Sequence, residues 1–257
     1  MEKEAITKYI STWLTDYVES SGLSGYVVGV SGGVDSALTA TLCAMTGKEV
    51  VLVNMPIRQK QEQLDRAANQ ISVLEERFSN VTGFTVDLTP TFQQLSIDLP
   101  DFAEKHSLSM ANSRARLRMT TLYAIGQSKG LLVAGTGNKV EDFGVGFFTK
   151  YGDGGVDVSP IADLMKTQVF ELASFLKINQ DILDAPPTDG LWEDDRNDEE
   201  QLGATYAELE WAMEFKGDTS LLSSRKKEII TIFDKFNRLN KHKMVPIPVC
   251  KIPNEYI

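Results

Sequence analysis

Residues 29–36 of this 257-residue chain read GVSGGVDS. Gly29, Val30, Ser31, Gly32, Gly33, Val34, Asp35 and Ser36 come directly off an apolar run and lead into a helical pattern. Glycines between small hydroxyl residues let an anion's oxygens reach backbone N–H groups, and a helix start adds a favourable dipole. The chemistry offered is that of a phosphate site. Two other phosphate loops are excluded by spacing: GxxxxGK[ST] needs a lysine that is absent here, and the dinucleotide fingerprint GxGxxG is not matched. On the residues alone, a tight glycine turn with Asp35 and Ser36 capping a helix is the plainer alternative.

Such a loop must be held between a strand and a helix. GYVVGVS (25–31) has the length and β-branching of a buried strand; behind it Val34, Leu38, Leu42 and Met45 recur at helical spacing until Gly47 ends the run. EVVLVNMP (49–56), VTGFTVDL (81–88) and GLLVAGTG (130–137) read as three more strands. Helical patterns cover 62–78, a short stretch from Thr89-Pro90, then 102–128, 163–176, 205–215 and 221–240. The first 20 residues trace a helix whose apolar face is Ile6, Ile10, Trp13, Leu14, Tyr17 and Val18. Strands apolar throughout, alternating with helices, imply an α/β fold with a doubly wound parallel sheet covered on both faces. Ligands of such sheets sit beyond the strands' C-terminal ends. Residues 192–203, with six acids among 193–200, read as a solvated loop, with a ligand-ordered lid as the alternative. FGVGFF (143–148) reads as core or as an aromatic segment beside a ligand, and VPIPVCKIPNEYI (245–257) as an extended tail.

Composition narrows the class. A hydrophobic fraction of 42% and a charged fraction of 24% are ordinary for a globular protein. No apolar run approaches the roughly 20 residues of a membrane span, and the N-terminus lacks a secretory pattern. Net charge is −10, which argues against a nucleic-acid footprint. Cys43, inside an apolar helical pattern, reads as a buried inert thiol. With only Cys250 besides, the cysteines suit a reducing compartment, so the cytoplasm is expected. His106, among polar residues, reads as a surface histidine.

SGGxDS resembles the pyrophosphate-loop signature of the ATP pyrophosphatases. In that superfamily the loop grips the β- and γ-phosphates, and cleavage falls at the α-phosphate. A substrate carboxylate or carbonyl is thereby adenylated. A second block, GTGNKVEDFGVGFFTKYGDGGVDVSPIADLMKTQV (135–169), resembles the NAD synthetase family. ANSRARLRM (111–119), PPTDGLW (186–192) and HKMVP (242–246) fit the same family in order. The resemblance implies an adenine nucleotide alpha hydrolase-like fold in one domain, 1–257, with no glutaminase domain. It implies a Mg2+-dependent ligase that uses ATP and free ammonia to convert deamido-NAD to NAD, working as a cytoplasmic homodimer.

Carried over by position, Gly29 to Ser36 with Arg58, Thr136, Lys166 and Thr188 form the ATP site. Asp35 and Glu141 are the metal ligands, and Asp35 and Lys166 the catalytic pair. Arg116, Lys150, Asp157, His242 and Lys243 hold deamido-NAD. Some relatives read GTDHAAE where this chain has GTGNKVE, so Asn138 and Lys139 replace an Asp-His pair while the spacing to Glu141 is kept. Two alternatives stay open: another pyrophosphate-loop ligase with a different substrate, and a module that binds ATP without cleaving it.

Overall fold

The computed structural model describes residues 1–188 and 197–257. Four strands, β1 (Gly25–Gly29), β2 (Glu49–Asn54), β3 (Val81–Thr85) and β4 (Leu131–Ala134), pair in parallel in the order β3-β2-β1-β4. An isolated parallel bridge from Ala134 to Val158 extends the sheet beyond β4. The helices are α1 (Lys3–Ser21), α2 (Val34–Ala44), α3 (Gln61–Arg77), α4 (Thr89–Asp98), α5 (Asp101–Glu104) and α6 (Ser107–Lys129). After β4 come a π-helical turn at Val140–Val145, then α7 (Lys166–Phe175), α8 (Gln180–Leu183), α9 (Asp198–Leu202), α10 (Tyr206–Glu214) and α11 (Ser224–Met244).

The two-residue period of each strand sorts its side chains onto opposite faces. Tyr26, Val28, Val50, Leu52, Leu132 and Ala134 join one core with residues of α1, α2, α3 and α7. Val27, Val51, Val53, Leu131 and Val133 join another with Leu88, Phe92 and Met110. This is the doubly wound α/β sheet that the apolar strands imply. A third core, around Val140, Val145, Leu202, Leu209 and Ile229, ties α9, α10 and α11 to the π-helical turn. No helix among the described residues is long and apolar enough to cross a membrane.

Several details differ from the sequence reading. In α1, Ile10, Leu14 and Val18 are buried, but Trp13 and Tyr17 are half exposed with rings 5.6 Å apart. The pattern over 102–128 breaks into α5 and α6, because His106 leaves helical geometry and accepts a hydrogen bond from the Ser109 N–H as N-cap. Of the acidic segment, 192–196 lie outside the described residues. The following residues form α9 rather than loop: Asn197 and Glu200 close a capping box, and Asp198, Leu202 and Ala204 are buried. An acid run reads as solvated only while nothing polar waits for it inside. The Cys43 thiol is fully buried, and burial pushes its pKa up, as expected of an inert thiol.

Candidate active site

β1 and β4 are neighbours, but the chain reaches them by winding in opposite directions, so their C-terminal ends open the crevice where α/β sheets bind ligands. The glycine loop leaves β1 there. Its two serines fold it before any ligand arrives. The Ser36 Oγ takes a bond from the Ser31 N–H (3.2 Å) and gives one to the Gly33 carbonyl (3.0 Å), while the Ser31 Oγ accepts from the Gly33 N–H (3.3 Å). Gly32 has φ +83°, and a Cβ there would lie 2.7 Å from the Gln63 carbonyl of α3. Only glycine meets both demands. α2 begins after Gly33 with no side-chain cap, so its first amides face the crevice as an anion site.

Opposite the loop, α7 begins with Lys166, which is buried. Its ammonium bonds the Asp35 carboxylate and lies 3.2 Å from Glu141 Oε1. Burial disfavours the charge on Lys166, but the two carboxylates outweigh it and raise its pKa. Burial likewise raises the pKa of Asp35, against the pull of Lys166. Two residues unforeseen as site members complete the arrangement. Asn138, fully buried, donates from Nδ2 to Asp35 Oδ1 (3.1 Å) and accepts the Glu141 N–H at Oδ1 (3.2 Å). Tyr206 opens α10 and donates its hydroxyl to Glu141 Oε1 (2.5 Å), with Asp198 Oδ2 at 3.2 Å. Lys139, the other changed position, pairs its ammonium with the exposed carboxylate of Asp163 at 2.8 Å. Beside Glu141, burial and the carboxylates of Glu141, Asp153 and Asp35 push Asp142 up to about 8.

A cavity of about 260 Å³ extends from the loop. It is lined by the whole of Gly29–Ser36, by Thr136, Glu141, Lys166 and Thr188, and by Asp153 and Gly155 of the GDGG turn. Thus the residues expected at ATP converge, with one exception. Arg58 is exposed at φ +59° and is not part of the lining; Gln63, Arg66 and Arg118 are.

Four of the residues expected at deamido-NAD gather in a second cluster outside this lining. Arg116 donates twice to the Lys150 carbonyl (3.3 Å), Lys150 Nζ donates to the His242 carbonyl (2.9 Å), and Lys243 Nζ donates to the Phe148 carbonyl (2.7 Å). Lys243 also lies 5.0 Å from the Phe148 ring centroid. Asp157 stands apart, bonded to the Tyr123 hydroxyl (2.9 Å) and to the Val133 N–H of β4 (2.8 Å). The FGVGFF segment divides: Val145 is core, Phe143 is exposed and Phe147 lines the cavity.

Two half-buried carboxylates, one of them at the end of the glycine loop, and a buried lysine can bind a nucleoside triphosphate through a divalent cation and direct displacement at phosphorus. Comparison with known proteins agrees. A family model described as NAD synthase matches residues 6–244. An NH(3)-dependent NAD(+) synthetase of Syntrophomonas wolfei is 36% identical, covering 99% of each chain. One of Alkaliphilus metalliredigens is 37% identical over 98% of this chain and 100% of its own. The solved NMN synthetase of Francisella tularensis superposes with a TM-score of 0.84 at 29% identity, covering 99% of both chains.

Proposed function

This chain belongs to the NAD synthase family, and from that premise we propose that it joins free ammonia to the nicotinate carboxylate of deamido-NAD, giving NAD at the expense of ATP. The observation that carries this reading is the meeting of Asp35, at the end of the glycine loop, with Glu141 and Lys166 at the mouth of the crevice.

In the first step a substrate carboxylate oxygen bonds to the α-phosphorus, the bond to the bridging oxygen breaks, and pyrophosphate departs with the electron pair. In the second, ammonia adds to the adenylated carboxyl carbon, AMP leaves and a proton is lost. No protein nucleophile is needed. The chain's work is to bring the reactants together, which contributes about 7–11 kcal/mol in well-oriented systems, and to meet developing charge with fixed donors. Loop amides and the α2 N-terminus face the departing phosphates; Lys166 holds charge at the loop's mouth.

Asp35 and Glu141 fit Mg2+, which takes one or two carboxylates and completes its shell with phosphate oxygens and water. Bound there, Mg2+ would supply charge neutralisation on the triphosphate. Asn138 and Tyr206 would orient the two ligands. Thr136 and Thr188 border the nucleotide, while Arg58 lies outside the lining; the cluster of Arg116, Lys150, His242 and Lys243 receives the phosphates and carboxylate of deamido-NAD, and Asp157 stays on Tyr123 and the β4 amide. A homodimer in the cytoplasm completes the reading, and sedimentation of the purified protein tests the assembly.

The likeness to an NMN synthetase favours one second reading, in which nicotinate mononucleotide is the better acceptor. The deciding assay combines protein, ATP, Mg2+ and ammonium with either deamido-NAD or nicotinate mononucleotide, and follows pyrophosphate and the amide product. A repeat with glutamine in place of ammonium tests the donor. Preferred turnover of the mononucleotide would replace the first reading by the second. Absence of an amide from both acceptors would sink the two together.

A further inference from the structure

The glycine loop carries no lysine of its own, and Lys166 is already balanced by two carboxylates. Pyrophosphate leaving the α-phosphorus takes the electron pair of the broken bond, so its oxygens gain a full negative charge. Loop amides alone provide only partial charges. Besides the Mg2+ that Asp35 and Glu141 would hold, a protein cation at the loop would meet this charge, and α3 supplies one. Arg66 lines the cavity, and its Nε–H donates to the Gly32 carbonyl at 3.3 Å. The two pack directly, since a Cβ on Gly32 would sit 3.2 Å from the Cβ of Arg66. That bond fixes the guanidinium against the loop, and its two terminal nitrogens bond no group among the described residues. Arg118, also in the lining, donates from Nε to the carbonyl of Met55, which lines the same cavity, at 3.0 Å.

We infer that Arg66 binds the β- and γ-phosphates of ATP and carries the charge of the departing pyrophosphate, a substrate-contacting residue supplied from outside the glycine loop. The planar fork suits two phosphate oxygens at once, a geometry that lysine does not reproduce. The Nε–H bond to Gly32 lowers the ordering cost, because one end of the side chain is already placed. The inference rests on the ATP reading of the site.

The test is calorimetric titration of inorganic pyrophosphate with Mg2+ into the wild-type chain, Arg66→Gln and Arg66→Lys, alongside KM for ATP and kcat. Gln keeps an N–H for the Gly32 carbonyl but no charge; Lys keeps the charge but not the fork. The expected result is pyrophosphate binding weakened about tenfold or more in Arg66→Gln, with Arg66→Lys in between, a matching rise in KM for ATP, and unchanged affinity for deamido-NAD. Equal binding by Arg66→Gln and wild type would overturn the inference while leaving the ATP site intact. Equal losses in both variants would assign Arg66 to holding the loop rather than the anion. Failure of the wild-type chain itself to bind pyrophosphate or ATP would instead overturn the nucleotide reading.

Discussion

Tyr206 places one hydroxyl between Glu141 and Asp198 and so links the segment after residue 196 to the reacting centre. Tyr206→Phe keeps the ring against the core and removes both bonds. Partners that orient a metal-binding carboxylate are worth about 10- to 100-fold in metal affinity or activity. The expected outcome is a fall in kcat of that order, with the Mg2+ concentration for half-activity raised; normal Mg2+ dependence would show that Glu141 is held without Tyr206. At this scale the sequence was legible where the chemistry is contiguous. The eight residues from Gly29 to Ser36 announce their loop by spacing alone. Glu141 and Lys166 emerge only through family resemblance, because a lone acid and a lone lysine carry no spacing signal. Tyr206 and Arg66 were missed: their partners lie 65 and 34 positions away, and no periodicity records such meetings. Asn138 left a trace in departing from the relatives' Asp-His pair, and its bonds to the Asp35 carboxylate and the Glu141 backbone N–H explain why an amide, donor and acceptor at once, serves there.

Between residue and fold, the loop and the helices around it behave as pre-shaped units. Gly32→Ala must place a methyl group at positive φ and against the Gln63 carbonyl, costs that add strain to steric conflict. Loop and α3 would have to separate, so ATP and pyrophosphate affinity are expected to fall at least about tenfold, with binding retained near wild type as the contrary result. The α10 N-terminus offers a prediction in pH. Arg225 of α11 and the Thr205 N–H hold Glu208 down to about 2, against an ordinary value of 4.5. A depressed carboxylate stabilises the fold above its unfolded pKa and loses that contribution as pH falls toward the folded one. Glu208→Gln should lower Tm by about 2 °C at pH 7, a small effect because the pair is exposed. The gap should close between about pH 4.5 and 2; a gap independent of pH would assign the effect to packing. Strand positions were legible because runs buried on both faces are apolar throughout. Helix ends were less so, since a cap such as His106 depends on one local hydrogen bond, and the outward rings of Trp13 and Tyr17 look apolar on a helical wheel although they face away from the core.

Across the whole molecule, the sheet order places the glycine loop, the turn after β4 and the start of α7 around one crevice. In a chain of net charge −10, the described lining of that crevice sets Arg66, Arg118 and Lys166 among Asp35, Glu141, Asp153 and Asp198. A ligand binding only the folded state at about 100 times its dissociation constant adds about 2.7 kcal/mol. In a chain of this size that corresponds to about 5–10 °C in Tm. ATP with Mg2+ should give such a shift, and an unchanged melting curve would refute binding at that affinity. The all-parallel sheet also has a consequence in time. None of its strands can be joined to a neighbour by a hairpin, and Lys166 meets Asp35 across 131 positions of sequence. Closing such long loops is slow compared with forming local helices. Far-UV circular dichroism should therefore recover before a fluorescent ATP analogue binds during refolding; simultaneous recovery would contradict this order. During synthesis, the glycine loop is made early and stays without its lysine until most of the chain has emerged, so the capacity to handle nucleotide arrives late in the life of the nascent polypeptide.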